Sequence, residues 1–300
     1  MLKVVIRLVK PGLFLPMFVS EEISDDSILI RPTYLSICAA DQRYFQGNRP
    51  FEILSKKLPL CLFHEALGQV VYDPTKSFNI GTNCILLPGG LDSMSKFSNY
   101  KSNSYFRSST RDGFCQEVLH MKKEELLEID NKNIVPYIFT ELISVCCQAV
   151  SRLEDHSLFP CSKSPCFGIF GDGCMAYTMA LTISKLYPNC DIVVFGKHDE
   201  KLLNFSFCTK QVNINDKSCN IKIDYAFECV GGGGAQDAIF HAINVIKPAG
   251  IIVLMGVSEN PPIIPTRLIL EKCITIIGAS RSIKSDFERA KCLIDNNDVQ

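Results

Sequence analysis

The chain contains no C-x-x-C pair among its fifteen cysteines and no apolar run long enough to span a membrane. Its formal net charge is −1 at pH 7, and no long basic tract appears, so nothing in the charge points to nucleic acid. Internal repeats and low-complexity tracts are also absent. The cysteines are odd in number and spread through apolar segments, as at Cys229 and Cys273, which suits small buried hydrophobes in a reducing cytosol rather than a disulfide framework. Lys3, Arg7 and Lys10 precede the apolar stretch Leu13 to Val19. That stretch is short, broken by Pro16 and lacks a small-residue cleavage site, which argues against a signal peptide. The expectation is a cytoplasmic protein with no membrane and no nucleic-acid partner. Three hundred residues allow two domains with sizeable cores.

What is present carries chemistry. Cys38 is followed 26 positions later by the adjacent pair His64-Glu65, inside the otherwise apolar run Pro59 to Gly68. Thiolate, imidazole and carboxylate are the side chains a catalytic zinc accepts, with one position left open. Burying a carboxylate and an imidazole there is costly unless something compensates them, and a metal would compensate both. The plainer alternative is a core histidine bonded to a carbonyl, with Glu65 turned to water.

A second signal lies further along. Ser164 to Gly171 reads as a short strand running into Gly171-Asp172-Gly173-Cys174-Met175-Ala176 and then a helix from Tyr177 to Tyr187. Strand, G-x-G-x-x-A and helix form the dinucleotide fingerprint: Gly171 for the tight turn, Gly173 for close approach to a pyrophosphate, Ala176 for helix–strand packing. The helix N-terminus offers free N–H groups to the phosphates.

Further βα units follow. Strands are expected at Cys190 to Phe195, Ile223 to Val230, Ile251 to Met255 and Cys273 to Ile277. Helices are expected at Asp199 to Phe205, Ala235 to Ile246 and Pro265 to Lys272. This alternation indicates a doubly wound parallel sheet buried on both faces. Gly171, Gly231 and Gly256 stand at strand carboxyl ends, where such sheets bind ligands. The tip of the second strand reads Phe195-Gly196-Lys197-His198, without the acid that would hydrogen-bond an adenosine ribose. A cation follows at once, which favours NADP over NAD.

Residues 1 to 155 differ, with short strands and frequent Gly and Pro: Val4 to Val9, Ile28 to Leu35, Ala66 to Tyr72 and Asn83 to Leu87. They indicate a β-rich, barrel-like domain carrying the metal candidates. The boundary is expected near 150 to 162, with 156 to 300 as the nucleotide-binding domain.

Several blocks together resemble the zinc-dependent medium-chain alcohol and polyol dehydrogenases over almost the whole length. The family's Cys-Gly-Ser-Asp stretch corresponds to Cys38-Ala39-Ala40-Asp41, its Gly-His-Glu to Phe63-His64-Glu65, and its Gly-Gly-Phe-Ala-Glu turn to 112–117. Glu228 to Gly231 and Gly256 to Ser258 match its nucleotide-binding half. Longer shared blocks at 31–44, 104–109, 167–173, 194–197 and 266–272 are more specific. The resemblance implies a GroES-like domain followed by a Rossmann domain, with NADPH-dependent reduction of D-ribulose 5-phosphate to D-ribitol 5-phosphate for teichoic-acid or capsule synthesis.

One catalytic Zn2+ at Cys38, His64 and Glu65 is implied, with Glu141 as a fourth ligand or the holder of a zinc-bound water. A helix-start carboxylate is the plainer alternative for Glu141. Asp41 is expected to orient its neighbours rather than bind metal. NADPH contacts are expected from Gly171, Asp172, Gly173, Ala176, Gly196, Lys197, Val230, Gly231, Gly256 and Ser258. Arg43, Arg49, Arg107, Ser108 and Ser109 are candidates for a substrate phosphate, because arginine grips phosphate bidentately. A homo-oligomer and a cytidylyltransferase of the same pathway are the expected partners.

Three departures stand out. Ala40 replaces the Ser or Thr that relays a proton in many relatives, leaving Tyr44 or a metal-bound water as stand-ins. No cysteine lies between Cys84 and Cys115, so no structural zinc is expected. After a helix from Asp286 to Ile294 the chain ends at Gln300, where relatives continue with elements that return to the first domain; a truncated or shorter member is expected. A dehydrogenase of another polyol or polyol phosphate, or an inactive nucleotide-binding remnant, stays open.

Overall fold

The computed structural model describes residues 1–90, 97–156, 164–216, 221–258 and 260–296. Its described residues divide into two compact units, Met1–Ser144 together with the chain from Arg281, and Val145–Ser280.

The first unit begins with an antiparallel hairpin of β1 (Leu2–Lys10) and β2 (Leu13–Ser20). β2 is the apolar stretch weighed above as a targeting segment. It is an edge strand, and an edge is where Pro16 costs no ladder hydrogen bond. Next come β3 (Ile28–Ser36), α1 (Ala39–Phe45), α2 (Phe51–Lys57), β4 (Glu65–Tyr72), β5 (Asn83–Leu86), the short pair β6 (Gly89–Gly90) and β7 (Tyr105–Phe106), then β8 (Leu119–Met121) and β9 (Leu126–Glu128). A five-stranded antiparallel sheet runs β8-β3-β4-β5-β9. β8 pairs only with Ile28 to Ile30, and the β3–β4 register slips between Pro32 and Tyr34, so Pro32 sits at a bulge that needs no donor. Ile28, Ile30, Ala66, Val70, Leu86, Phe114 and Leu119 build the core here.

α3 (Thr140–Glu154) carries the chain from the first unit into the second. Its stripe Ile143, Cys146, Cys147, Val150 and Leu153 is buried at helical spacing. The expected linker lies largely in 157–163, outside the described residues.

The second unit holds β10 (Cys166–Phe170), α4 (Cys174–Leu186), β11 (Asp191–Gly196), α5 (Asp199–Leu202), β12 (Lys210–Asn213), β13 (Ile223–Glu228), α6 (Ala235–Val245), β14 (Ile246–Leu254), α7 (Thr266–Lys272) and β15 (Thr275–Gly278). The six strands are parallel in the order β12-β11-β10-β13-β14-β15, the doubly wound arrangement whose strand order reverses beside the first strand. β12 was not legible in the sequence because Lys210-Gln211-Val212-Asn213 has one buried apolar residue and lies at the sheet's edge.

Two expectations about domain limits need correction. The division falls at 144/145 rather than near 155, and the C-terminal stretch is not part of the nucleotide-binding unit. α8 (Lys284–Asp295) belongs with the first unit, where Tyr137 Oη donates to Asp295 and Ser144 Oγ to Ser282 Oγ at 2.8 Å. Phe287, Ala290, Leu293 and Ile294 form its buried face. This helix therefore brings the chain back to the first unit after the second.

Candidate active site

In the first unit, Cys38, at the N-cap of α1, is brought against His64 and Glu65, where β4 begins. One ligand atom from each lies within 4.8 Å of the others. His64 and Glu65 are buried and Cys38 half-buried.

Asp41 organises the cluster without belonging to it. Its Oδ2 accepts the Cys38 N–H at 3.1 Å; its Oδ1 accepts the Phe63 N–H at 3.1 Å and the Ser108 hydroxyl at 2.9 Å. One buried carboxylate thus ties together the two ligand segments and the loop at 108. Burial opposes its ionisation, but the imidazole 3.7 Å away and these donors hold its carboxyl below the usual range.

Phe63 stands where the family has glycine, and its φ is 69°, a conformation uncommon for a bulky side chain. The strain is held by neighbours: Phe63 O accepts the Phe114 N–H at 2.7 Å, and Gly113 passes so close that a Cβ there would lie 2.3 Å from Leu62 O. The turn at 112–114 therefore fixes the backbone just before His64.

The cluster fits a divalent cation. His64 Nδ1 is buried without a hydrogen-bond partner. Burial opposes a charge on His64, yet Asp41, Cys38 and Glu141 outweigh it and raise its pKa. Glu141, in the first turn of α3, is pushed up to about 7 by burial, with the charges of Glu65 and Asp41 adding and His64 opposing. So many buried anions around one imidazole demand positive charge. Glu141 is not a member of the 4.8 Å triplet.

Three phosphate or proton candidates are placed differently from expectation. Arg107 is buried, its guanidinium donating to Asp112 O at 3.4 Å and His120 O at 3.2 Å and lying over the Phe114 ring. Its guanidinium is engaged by backbone carbonyls and an aromatic face, the environment of a structural cation. Ser108 is committed to Asp41. Tyr44 is buried among Leu8, Leu60 and Leu62 with Arg49 stacked on its ring, 4.6 Å from the centroid. It is therefore packed away rather than set to relay a proton. Arg43 is half-buried on the last turn of α1. Lys57, not singled out in the sequence, donates to Ser109 Oγ at 2.9 Å and approaches the Tyr44 ring. Nothing in the sequence separated it from Lys56.

In the second unit the strand ends make a cleft of ≈ 240 Å³ lined by Gly171, Gly173, Gly196, Lys197, Val230 and their neighbours. Gly171 has φ 130°, and a Cβ there would meet the buried Ala176 methyl at 3.3 Å. Gly173 is the N-cap of α4 and offers no side chain to the helix's first N–H groups. Glu228, fully buried at the end of β13, accepts the N–H groups of Val230 and Gly231 at 2.8 Å and of Gly256 at 3.0 Å. A Cβ on Gly256 would strike Gly231 N at 2.3 Å and Glu228 Oε2 at 2.6 Å. Ser258 Oγ donates to Gly232 O and Asn260 O. The role of Glu228 was missed because a carboxylate inside an apolar strand carries no sign of which backbone donors it will meet.

The tip of β11 also differs from expectation. No acid stands at the strand tip, 195–198, but Asp172 brings one to it from the first turn. Its Oδ2 accepts the N–H groups of Lys197 and His198 at 2.8 and 2.9 Å, and meets His198 Nδ1 at 2.8 Å.

No family model matches the chain. Ribulose-5-phosphate reductase of Bacillus spizizenii is 42% identical over 287 residues, covering 94% of this chain and 83% of that protein. Ribulose-5-phosphate reductase 2 of Staphylococcus aureus is 43% identical over 292 residues, covering 96% and 85%. Among solved structures, Staphylococcus aureus TarJ in complex with NADPH is similar at TM-score 0.86 and 38% identity, covering 100% of this chain and 87% of that one. L-Idonate 5-dehydrogenase from Escherichia coli shares the fold at TM-score 0.87 and 17% identity, covering 100% and 89%. By this likeness, sustained along nearly its whole length, the chain belongs to the ribulose-5-phosphate reductase family, on the GroES-like and Rossmann domains of the medium-chain dehydrogenases.

Proposed function

We propose that this protein reduces D-ribulose 5-phosphate to D-ribitol 5-phosphate with NADPH, using one zinc held by Cys38, His64 and Glu65. The observation that carries this reading is the buried Cys38–His64–Glu65 cluster in a chain 42–43% identical to ribulose-5-phosphate reductases. NADPH is the reductant in the reading because TarJ, 38% identical, is described in complex with it.

A zinc held by Cys38, His64 and Glu65 would supply Lewis acidity at the ketone oxygen of the substrate. The chain's own residues hold and shape the site. Asp41 fixes the directions of Cys38 and His64, and Phe63 presents His64 from a strained turn. Glu141 completes the anionic wall, as a fourth ligand or as the acceptor of a water on the metal. Arg43, with the Lys57–Ser109 pair, supplies charge and donors for the substrate phosphate. Ala40 offers no hydroxyl and Tyr44 is buried, so neither carries the proton that completes the alcohol. Gly171, Gly173, Ala176, Gly196, Lys197, Val230, Gly231, Gly256 and Ser258 form the NADPH site, with Asp172 and Glu228 positioning its loops.

Among the described residues no helix is long and apolar enough to cross a membrane. We place the protein in the cytoplasm as a homo-oligomer, with a cytidylyltransferase of the same pathway as the consumer of its product; the resemblance supports these points.

The test is NADPH oxidation by zinc-analysed protein, with D-ribulose 5-phosphate beside unphosphorylated D-ribulose. Turnover of the phosphate ester alone, with stoichiometric zinc, is expected. Turnover of both sugars at equal efficiency removes the phosphate assignment, and a protein that purifies active without zinc removes the metal.

A further inference from the structure

A carboxylate at the tip of the second Rossmann strand ordinarily accepts the adenosine ribose hydroxyls and repels a 2′-phosphate. Here such a carboxylate is present, delivered by Asp172 from the first βα turn rather than by the strand itself. Its surroundings alter what it can do. Oδ2 already accepts three donors, the N–H groups of Lys197 and His198 and the His198 ring nitrogen. The Asp172 side chain is 13% exposed, whereas those of His198 and Lys197 are each 50% exposed. The acid is thus tucked beneath two residues whose side chains face outward.

The arrangement is held from every side. A Cβ on Gly196 would lie 2.8 Å from both Asp172 Cβ and Leu202 Cδ2, so only glycine lets the strand tip press onto the carboxylate. Asn213 Nδ2 donates to Lys197 O at 3.2 Å and to Asp199 Oδ1 at 2.7 Å, which fixes the far side of the tip. Lys197 Nζ stands 3.8 Å from Asp237, itself a wall of the cleft. Burial opposes ionisation of Asp172, but the His198 ring and the two N–H groups hold its carboxyl below the usual range.

Resting on the reading that NADPH is the reductant, we propose that the Asp172–His198 pair sets the preference for NADPH over NADH. His198 occupies Asp172 Oδ2, the carboxylate oxygen that would otherwise serve NADH, and holds the strand tip so that Lys197 stands beside it as the cation for the 2′-phosphate. A lone cation at the strand tip is insufficient, because an uncompensated Asp172 beside it would repel the phosphate. His198 and Lys197 act as specificity determinants, and Asp172 is a positioning residue.

The experiment is titration of the full-length chain with NADPH and with NADH, followed by fluorescence of the reduced nicotinamide, so no sugar substrate is needed. His198→Ala is expected to weaken NADPH binding about ten-fold and to leave NADH within about two-fold, since one charge-assisted contact is lost and one naked charge gained. His198→Arg should keep the preference. His198→Ala combined with Asp172→Asn should recover part of the lost NADPH affinity, because the repelling charge goes as well. A purely structural staple predicts the opposite: both cofactors weaken alike and the double variant is worse than the single. Either result overturns the proposal. Failure of the unsubstituted protein to bind NADPH would instead overturn the functional reading on which it rests.

Discussion

The two halves of the machinery are built from different materials. In the second unit the proposed nucleotide site is mostly backbone: glycines without side chains, helix N–H groups and loop amides pinned by Asp172 and Glu228. In the first unit the candidate metal cluster is entirely side chain, gathered from α1 and the start of β4 and buried around Asp41. Backbone sites depend on conformation, and conformation is local. Side-chain clusters depend on which distant segments meet, and each ligand is expensive to bury without the others.

That contrast can be broken by substitution. The largest effect is expected from Cys38→Ser, which should lower turnover by roughly 10³-fold, about 4 kcal/mol of barrier, while leaving NADPH titration unchanged. Loss of NADPH binding in that variant would show that the two sites do not act independently. Asp41→Asn comes next, because it keeps the shape but weakens acceptance from Cys38, Phe63 and Ser108. It should cost about 10–100-fold in zinc affinity or activity, read by competition with a chelator.

A matched pair sharpens the comparison. Gly113→Ala and Gly256→Ala each force a Cβ to 2.3 Å from backbone. Each should cost about 2–4 kcal/mol of stability by denaturant melt. The first should reduce zinc content and spare NADPH binding, and the second should do the reverse.

The smallest effect concerns Glu125, buried and raised to about 7 by burial, with only the Lys122 N–H opposing. Its folded value lies above its unfolded one. The stability it contributes is therefore whole below about 4.5 and is lost as pH rises toward 7, on the order of 2–3 kcal/mol. Glu125→Gln should flatten the melting temperature between pH 5 and 8. A slope equal to that of the unsubstituted protein would remove Glu125 as its source.

Much of the second unit was legible because its strands are apolar runs with turn residues between them, and β10, β11, β13, α4 and α6 lie within a few residues of where periodicity put them. β12 escaped for want of apolar residues. In the first unit the strands were visible, while Cys38, His64 and Glu65 drew notice by chemical type and by the apolar run around the pair. The neighbouring assignments fared worse. Arg107 and Ser108 have the right chemistry for phosphate, yet burial turned one toward carbonyls and the other toward Asp41. Tyr44 followed the metal cysteine closely but faces the core, since helix α1 directs it away.

The sequence by itself determined the alternation of strands and helices, the glycines at three strand ends and the side-chain types of one candidate metal cluster. These follow from periodicity, φ requirements and side-chain chemistry, which are properties of short segments. Only the tertiary structure decided that α8 returns to the first unit, that Asp41 ties both ligand segments together, and that Asp172 supplies the acid missing from the tip of β11. Each joins residues 22 or more positions apart through hydrogen bonds or packing, and which polar groups meet is set by which segments the fold brings together.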